Sequence, residues 1–160
     1  MVQIEDSMVK KFWNTNKDLL APGVSKNRII EVENELGIFF PNKYKQLISV
    51  YNGGPPIYRC FNYFDNYKKE LIIGSIDMLP LIDREDNVVE TLIDPPEFFP
   101  KGLVPFADDG GGDLTCFDYR NCKENPPIVF WVCGDNEGED VHFVANTFEE
   151  FINMLHESED

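Results

Sequence analysis

The apolar positions in the first third of the chain recur at the spacing of amphipathic helices. Residues 7–20 place a few apolar side chains loosely on one side and indicate a first helix, which Ala21-Pro22-Gly23 ends. Ser25 then stands where an N-cap belongs, because its hydroxyl oxygen can accept a bond from an orphan amide. The apolar stripe that follows consists of Ile29, Val32 and Leu36.

Two consecutive helices with a short connection are predicted from this point. Gly37 ends the first of them as a left-handed cap, and Pro41 begins the next, since proline is tolerated in a first turn. Asn52-Gly53-Gly54 ends the second helix. Its buried face is predicted to be Tyr44, Leu47, Ile48 and Tyr51.

The middle of the chain has a different character. Tyr58–Tyr67 is interpreted as an aromatic loop, Glu70–Ile76 as a short strand and Met78–Ile82 as another. Asn87–Ile93 is compatible with a short helix. Three prolines then force an irregular connection: Pro95, Pro96 and Pro100.

Four short β-type runs separated by turn residues follow, and they predict an antiparallel meander. They are Gly102–Ala107, Leu114–Tyr119, Ile128–Cys133 and Val141–Ala145. A closing helix follows Asn146 or Thr147, with an apolar face of Phe148, Phe151, Ile152 and Leu155. N-terminal helices, a sheet meander and a C-terminal helix predict an α+β fold, and the length of 160 residues predicts a single domain over residues 1–160.

The formal net charge of −15 narrows the choice of partners. Residues 102–160 hold 14 acidic groups and two basic ones, Arg120 and Lys123. Nucleic acids and anionic membranes prefer basic surfaces, so neither is expected as a partner. The acidic surface either serves solubility alone or attracts a basic partner, and charge by itself does not decide between the two.

Reactive residues are few and scattered. The four cysteines form no C-x-x-C pair and there are two histidines, so we expect no zinc site, no disulfide scaffold and no cofactor. His142 is expected to be a satisfied structural histidine in a strand, and His156 to be solvated in an acidic tail. Without a signal peptide or a long apolar run, a reducing cytoplasm is the expected location.

No catalytic set is recognisable, so the chain is not expected to be an enzyme. The stretch 108–113 joins three carboxylates with three glycines, but it lacks the spacing of a calcium loop and the lysine of a phosphate-binding loop. We therefore expect a flexible turn there, and no catalytic, cofactor-binding or metal-binding residues.

Two surfaces are candidates for binding a partner. Alternate turns of a meander lie at the same end, so two acidic turns should form one negative patch: Asp108, Asp109, Asp113, Asp135, Glu137, Glu139 and Asp140. Core packing explains some of the aromatic residues in segment 58–67, and the segment is otherwise the rival surface, because aromatic side chains supply large contact area at low entropic cost.

Three stretches of the sequence resemble the SUKH superfamily. They are Ile30–Gly37 followed by Phe40–Tyr44 and the Tyr51-Asn52-Gly53-Gly54 stop, then Val104–Asp113, and last Phe148-Glu149-Glu150-Phe151. The first two together are fairly specific, whereas the third alone is weak. The likeness covers about residues 25–155, with Phe40 where the family usually has leucine and a poor match over Tyr58–Glu97.

The resemblance implies a SUKH-like fold and a non-enzymatic binding protein. Bacterial members of this superfamily are mostly immunity proteins that neutralise a toxin domain, very often a nuclease. A nuclease domain is basic because it holds nucleic acid, so the expected partner is a basic cognate toxin. Two alternatives stay open: a regulatory scaffold resembling the fungal cell-wall synthesis regulators and, more remotely, a small hydrolase or metal enzyme.

Overall fold

The computed structural model describes residues 11–15, 20–134 and 140–157. The helices in these ranges are α1 (Lys26–Leu36), α2 (Asn42–Val50), α3 (Val88–Ile93) and α4 (Phe148–Met154). The strands are β1 (Cys60–Asp65), β2 (Glu70–Ser75), β3 (Asp77–Met78), β4 (Leu103–Asp108), β5 (Leu114–Asp118), β6 (Ile128–Trp131) and β7 (Val141–Ala145). Most of the helix predicted over residues 7–20 lies outside the described residues, but the prediction is wrong from Trp13 onward in the described part, because Trp13 forms a backbone bridge with Pro56.

The strands form two antiparallel sheets. One is the β1–β2 hairpin, and the other has five strands in the order β3-β4-β5-β6-β7. The predicted α+β fold is therefore confirmed, as is the meander, whose four strands each lie within one or two residues of their predicted ends. β3 joins the free edge of β4, with Asp77 opposite Asp108.

The start and end of α1 follow from its capping residues. The backbone N–H of Arg28 donates to the Ser25 hydroxyl at 3.2 Å, as an N-cap requires. Gly37 has a φ of 71° and its N–H donates to the carbonyl of Glu33. Both caps confirm the sequence prediction. Pro41 is the N-cap of α2 and so lies one position before its first helical residue.

Glu33 joins α1 to α2 through a buried carboxylate. It is 5% exposed, and its Oε2 accepts the backbone N–H of Phe40 at 2.7 Å and lies 3.4 Å from the ammonium of Lys45. A buried carboxylate needs such partners to offset its lost hydration. The connection between α1 and α2 is therefore held by the Glu33 side chain as well as by the backbone of residues 37–41.

Asn52 fixes the irregular segment that follows β3. Its amide nitrogen donates to the Ile82 carbonyl and its amide oxygen accepts the Leu81 N–H, both at 2.8 Å. The strand predicted over Met78–Ile82 is therefore wrong beyond Met78, because the amide of Asn52 replaces a strand partner there. The short helix predicted near residue 90 is confirmed as α3, with Asn87 as its N-cap.

The aromatic loop predicted over Tyr58–Tyr67 is also wrong, because most of it is strand β1. Phe61, Tyr63 and Asp65 are buried while Asn62 and Phe64 are exposed, which is the period-two alternation of a strand with one covered face. Gly74 of β2 lies opposite Phe61, and the ring of Phe61 covers it.

The core is a run of packed aromatic rings between the helices and the five-stranded sheet. Phe106 and Phe117 stack with ring centroids 4.4 Å apart, and Tyr44 of α2 meets Phe148 of α4 at 5.9 Å. Phe151 of α4 reaches Phe61 of the hairpin at 5.4 Å. One continuous core therefore connects the hairpin, helices α2 and α4, and the five-stranded sheet.

Candidate functional site

The candidate site is the end of the five-stranded sheet at which β4 and β6 finish and β5 and β7 begin. The register places Asp108 opposite Leu114, Leu114 opposite Trp131 and Trp131 opposite Val141. This end, called here the acidic end, carries Asp108, Asp109, Asp113 and Asp140. The predicted site residues Asp135, Glu137 and Glu139 lie outside the described residues.

Asp109 shapes the turn between β4 and β5. Its Oδ1 accepts the backbone N–H groups of Gly111 at 2.8 Å and Asp113 at 3.2 Å. Gly110 and Gly112 have φ values of 84° and 103°, which side chains with a Cβ rarely adopt. The carboxylate and the two glycines together give this turn a defined conformation.

Asp113 ties this turn to the connection after β6. Its Oδ1 accepts the backbone N–H of Cys133 at 2.9 Å, across 20 positions of sequence. Burial raises the pKa of the Asp113 carboxyl, the bond from Cys133 opposes that rise, and repulsion from Asp109 adds to it. The two acidic connections are therefore in contact, as the meander topology predicts.

Asp108 is a half-buried residue at the end of β4. Burial raises the pKa of its carboxyl, and repulsion from Asp77 and Asp109 raises it further, against a bond from the Gly110 N–H. Asp77 lies opposite Asp108 on β3 and forms an ion pair with Arg59 at 2.8 Å. The sheet edge thus adds a further carboxylate that the sequence analysis did not include.

The tip of the β1–β2 hairpin also reaches the acidic end. The pKa of Tyr63 is raised by burial and then by the charges of Asp65, Asp113, Asp109 and Asp140. Asp65 organises the tip, since its Oδ1 accepts the N–H groups of Tyr67 at 2.9 Å and Lys68 at 3.1 Å. The alternation in residues 60–65 was the sequence signal for a strand here.

His142 connects the hairpin to β7. It is 2% exposed, and its ring lies 5.4 Å from that of Tyr63 and 6.2 Å from that of Tyr67, measured between centroids. It is buried in a strand as expected, but its Nδ1 has no hydrogen-bond partner within the described part of the chain. The expectation of a fully satisfied histidine is therefore wrong for that atom.

His156 differs from the expectation of a solvated tail. It forms a backbone bridge with Cys60, and its Nε2 lies 2.8 Å from the side-chain oxygen of Asn62. The residues after α4 are therefore attached to the hairpin.

The described residues contain neither a metal cluster nor a membrane span. Among them, no group of three or more His, Cys, Asp or Glu side chains is arranged to hold a metal ion. The helices within the same ranges are too short or too polar to cross a bilayer. The carboxylates of Asp109 and Asp113 accept hydrogen bonds from backbone N–H groups of the turns at this end.

Comparison with known proteins identifies a matching family and a related prophage protein. Residues 23–154 match the family model described as the SMI1 / KNR4 family (SUKH-1). The chain is also 28% identical, over 159 aligned residues, to the SPbeta prophage-derived uncharacterized protein YokK of Bacillus subtilis (strain 168). That alignment covers 84% of this chain and 76% of the relative.

Proposed function

The chain belongs to the SMI1/KNR4 family (SUKH-1), and from that premise we propose that it is an immunity protein that binds and neutralises a cognate toxin domain. The toxin is proposed to be a basic nuclease, whose cleft the acidic end blocks. The protein itself performs no catalysis in this proposal. Its partner surface includes Asp108, Asp109, Asp113 and Asp140 and, in the stretch between β6 and β7 that lies outside the described residues, Asp135, Glu137 and Glu139.

The observation that carries the proposal is the convergence of like charges from separate elements. Carboxylates from β4 and the turns beside β5 and β7 meet at one end of the sheet, where burial, and to a smaller extent repulsion between carboxylates, raises the pKa values of Asp108 and Asp113. Repulsion of this kind destabilises the free protein. A surface that keeps such repulsion is better explained by binding to a cationic partner than by the needs of the fold.

A nuclease fits this surface because of what its own substrate demands. A cleft that holds nucleic acid must present lysine and arginine to phosphates, and an acidic inhibitor meets those same side chains. The toxin must be blocked where nucleic acid is found, so the proposed location is the bacterial cytoplasm. The prophage origin of the 28% identical relative supports a bacterial setting.

The test compares two variants that change the net charge equally. Asp108, Asp109 and Asp113 are changed to Asn, which keeps their acceptor oxygens; the matched control changes Glu35, Glu124 and Glu149 to Gln. Of the control residues, Glu149 lies at the end of the sheet opposite the acidic end, because it lines the same hollow as Asn125 of the β5–β6 connection. The probe is the toxin domain encoded by the adjacent gene, used active for survival and catalytically inactive for binding.

We expect wild-type protein to rescue cells that express the toxin. At low salt, the Asp-to-Asn variant should associate about 10-fold more slowly and show a weaker salt dependence, while the control stays near wild type. Equal association rates for all three proteins would mean that the acidic end only aids solubility. Failure of wild-type protein to bind or to protect would contradict the immunity proposal itself and favour the scaffold alternative.

A further inference from the structure

The β1–β2 hairpin presents an apolar outer face. Phe64 lies opposite Leu71 and Asn62 lies opposite Ile73, and side chains opposite one another in a ladder share a face. Phe64, Leu71 and Ile73 are 46%, 71% and 52% exposed. These three residues are called here the hairpin patch. Strands with one solvated face usually place polar residues on it, so the patch departs from the common pattern.

The inner face of the same hairpin is firmly packed. Tyr63 meets Phe130 of β6 at 4.9 Å, and Phe61 meets Phe151 of α4 at 5.4 Å, both between ring centroids. The bridge between Cys60 and His156 holds the base of the hairpin, and Asp65 organises its tip. The hairpin patch is therefore carried on a fixed support, as a preformed binding surface requires.

We propose that the hairpin patch is the apolar centre of the contact with a basic protein partner, with the acidic end as its charged rim. This inference rests on the proposed function and assigns it a second, uncharged component. Interfaces commonly combine an apolar core with a polar rim, and a few core side chains supply most of the binding energy.

Charge complementarity identifies the occupant. The hairpin lies beside the acidic end, because the rings of Tyr63 and Tyr67 lie 5.4 Å and 6.2 Å from the ring of His142, which follows Asp140 by two residues. A second copy of this chain would bring another −15 charge against the same surface. A basic partner gains attraction where a second copy meets repulsion, so the geometry favours a heterologous contact.

The two components should act on different rate constants. Charges at a rim steer encounter and change association, whereas apolar side chains at a centre hold the formed complex and change dissociation. Lys68, in the hairpin turn beside Asp65, opposes the attraction of a basic partner. Replacing Lys68 with Gln should therefore speed association.

The experiment measures association and dissociation rates with the catalytically inactive toxin domain of the adjacent gene. The test variant changes Leu71 and Ile73 to Thr, which supplies a β-branched side chain suited to a strand. The control changes Ile30 and Ile93 to Thr, two exposed positions on α1 and α3. Melting temperatures confirm that each variant is folded.

We expect the hairpin variant to dissociate about 10-fold to 100-fold faster, with its association rate nearly unchanged, and the control to match wild type. Unchanged dissociation alongside tight wild-type binding would overturn the hairpin patch while leaving the immunity function intact. Absent wild-type binding would overturn both. Sedimentation showing a wild-type dimer that the hairpin variant loses would instead make the patch a self-association surface.

Discussion

At Asp108, the proposed binding to a basic partner and the stability of the free protein make opposite demands on one carboxyl. The pKa of its carboxyl is raised by burial and by the charges of Asp77 and Asp109, so ionisation at neutral pH opposes folding. Asp108→Asn removes the charge and keeps an acceptor for the Gly110 N–H. We therefore expect this variant to have a higher melting temperature than wild type at pH 7.

The pH dependence of that gain follows from the sign of the shift. Because the folded-state pKa of Asp108 is raised, its carboxyl does not oppose folding at low pH and destabilises the protein as pH rises from the unfolded-state pKa through the folded-state pKa. The advantage of the Asp108→Asn variant over wild type should shrink between pH 7 and about pH 4, where aspartates become protonated. Thermal melts across this range check the prediction, and a gain that grew toward low pH would contradict it.

Gly37 is a second residue whose role is set by the backbone alone. Its φ is 71°, and a Cβ placed there would meet no atom within 4 Å. A side chain at this position would therefore strain the backbone without clashing with any neighbour. Gly37→Val should lower the free energy of unfolding by about 1–2 kcal/mol, the cost of a left-handed residue. The measurement is chemical denaturation, in which a change of midpoint at constant slope reports the loss.

Gly134 supplies the control for that substitution. A Cβ placed there would also meet open space, but the φ of Gly134 lies outside the left-handed region. Gly134→Val should change stability by less than about 0.5 kcal/mol, as surface substitutions usually do. If both valine variants lost the same stability, the left-handed cap would not be the cause.

At the scale of elements, the pairing of α1 with α2 depends on the carboxylate of Glu33. Glu33→Ala leaves the Phe40 N–H without its acceptor in a buried place, and we expect a loss of about 1–3 kcal/mol. Glu33→Gln keeps an acceptor oxygen and should cost less. Lys45→Ala removes a partly exposed ion pair and should cost at most about 1 kcal/mol.

These three variants separate two explanations of the helix pair. The order of loss should be Glu33→Ala, then Glu33→Gln, then Lys45→Ala, measured as free energies of unfolding in urea. If Lys45→Ala lost more free energy of unfolding than Glu33→Gln, the ion pair would be the main link between α1 and α2. The hydrogen bond from the Phe40 N–H would then be the minor one.

Elements with local signals were predictable from the sequence, including β2 within one residue of its predicted end, whereas β1 and its pairing with β2 were not. Caps such as Ser25 and Gly37 act within one turn, and each meander strand is bounded by its own turn residues. The aromatic residues of β1 also suit a binding loop, and their alternation carries no sign of what they pack against. The contact with Phe130 and Phe151 that makes them a strand comes from distant segments.

At the scale of the whole molecule, the candidate site likewise has a part that the sequence predicted and a part set by distant contacts. The meander order implied that the turns after β4 and β6 share one end, and the bond from Cys133 to Asp113 confirms that proximity. Their role in partner binding stays a prediction. Asp77 and Asp65 could not be assigned to this end beforehand, because they arrive through β3 and the hairpin, whose tertiary placement no local pattern specifies.

The strand order β3-β4-β5-β6-β7 has a consequence for how fast the chain reaches its structure. Every pairing from β4 to β7 joins strands adjacent in sequence and closes a short loop, whereas α2 packs on α4 from the opposite end of the chain. Early contacts favour short loops because their closure costs the least entropy. The meander should therefore be largely formed at the rate-limiting barrier, with α2 docking afterwards.

Two buried truncations test this sequence of events in stopped-flow refolding. Val129→Ala, in β6, should mainly slow folding, and Leu47→Ala, in α2, should mainly speed unfolding. Equal slowing of folding by both would place α2 in the nucleus. If the expected order holds, the sheet end that carries the acidic turns is assembled before α2 docks, so a refolding chain would present its charged turns while α2 was still free.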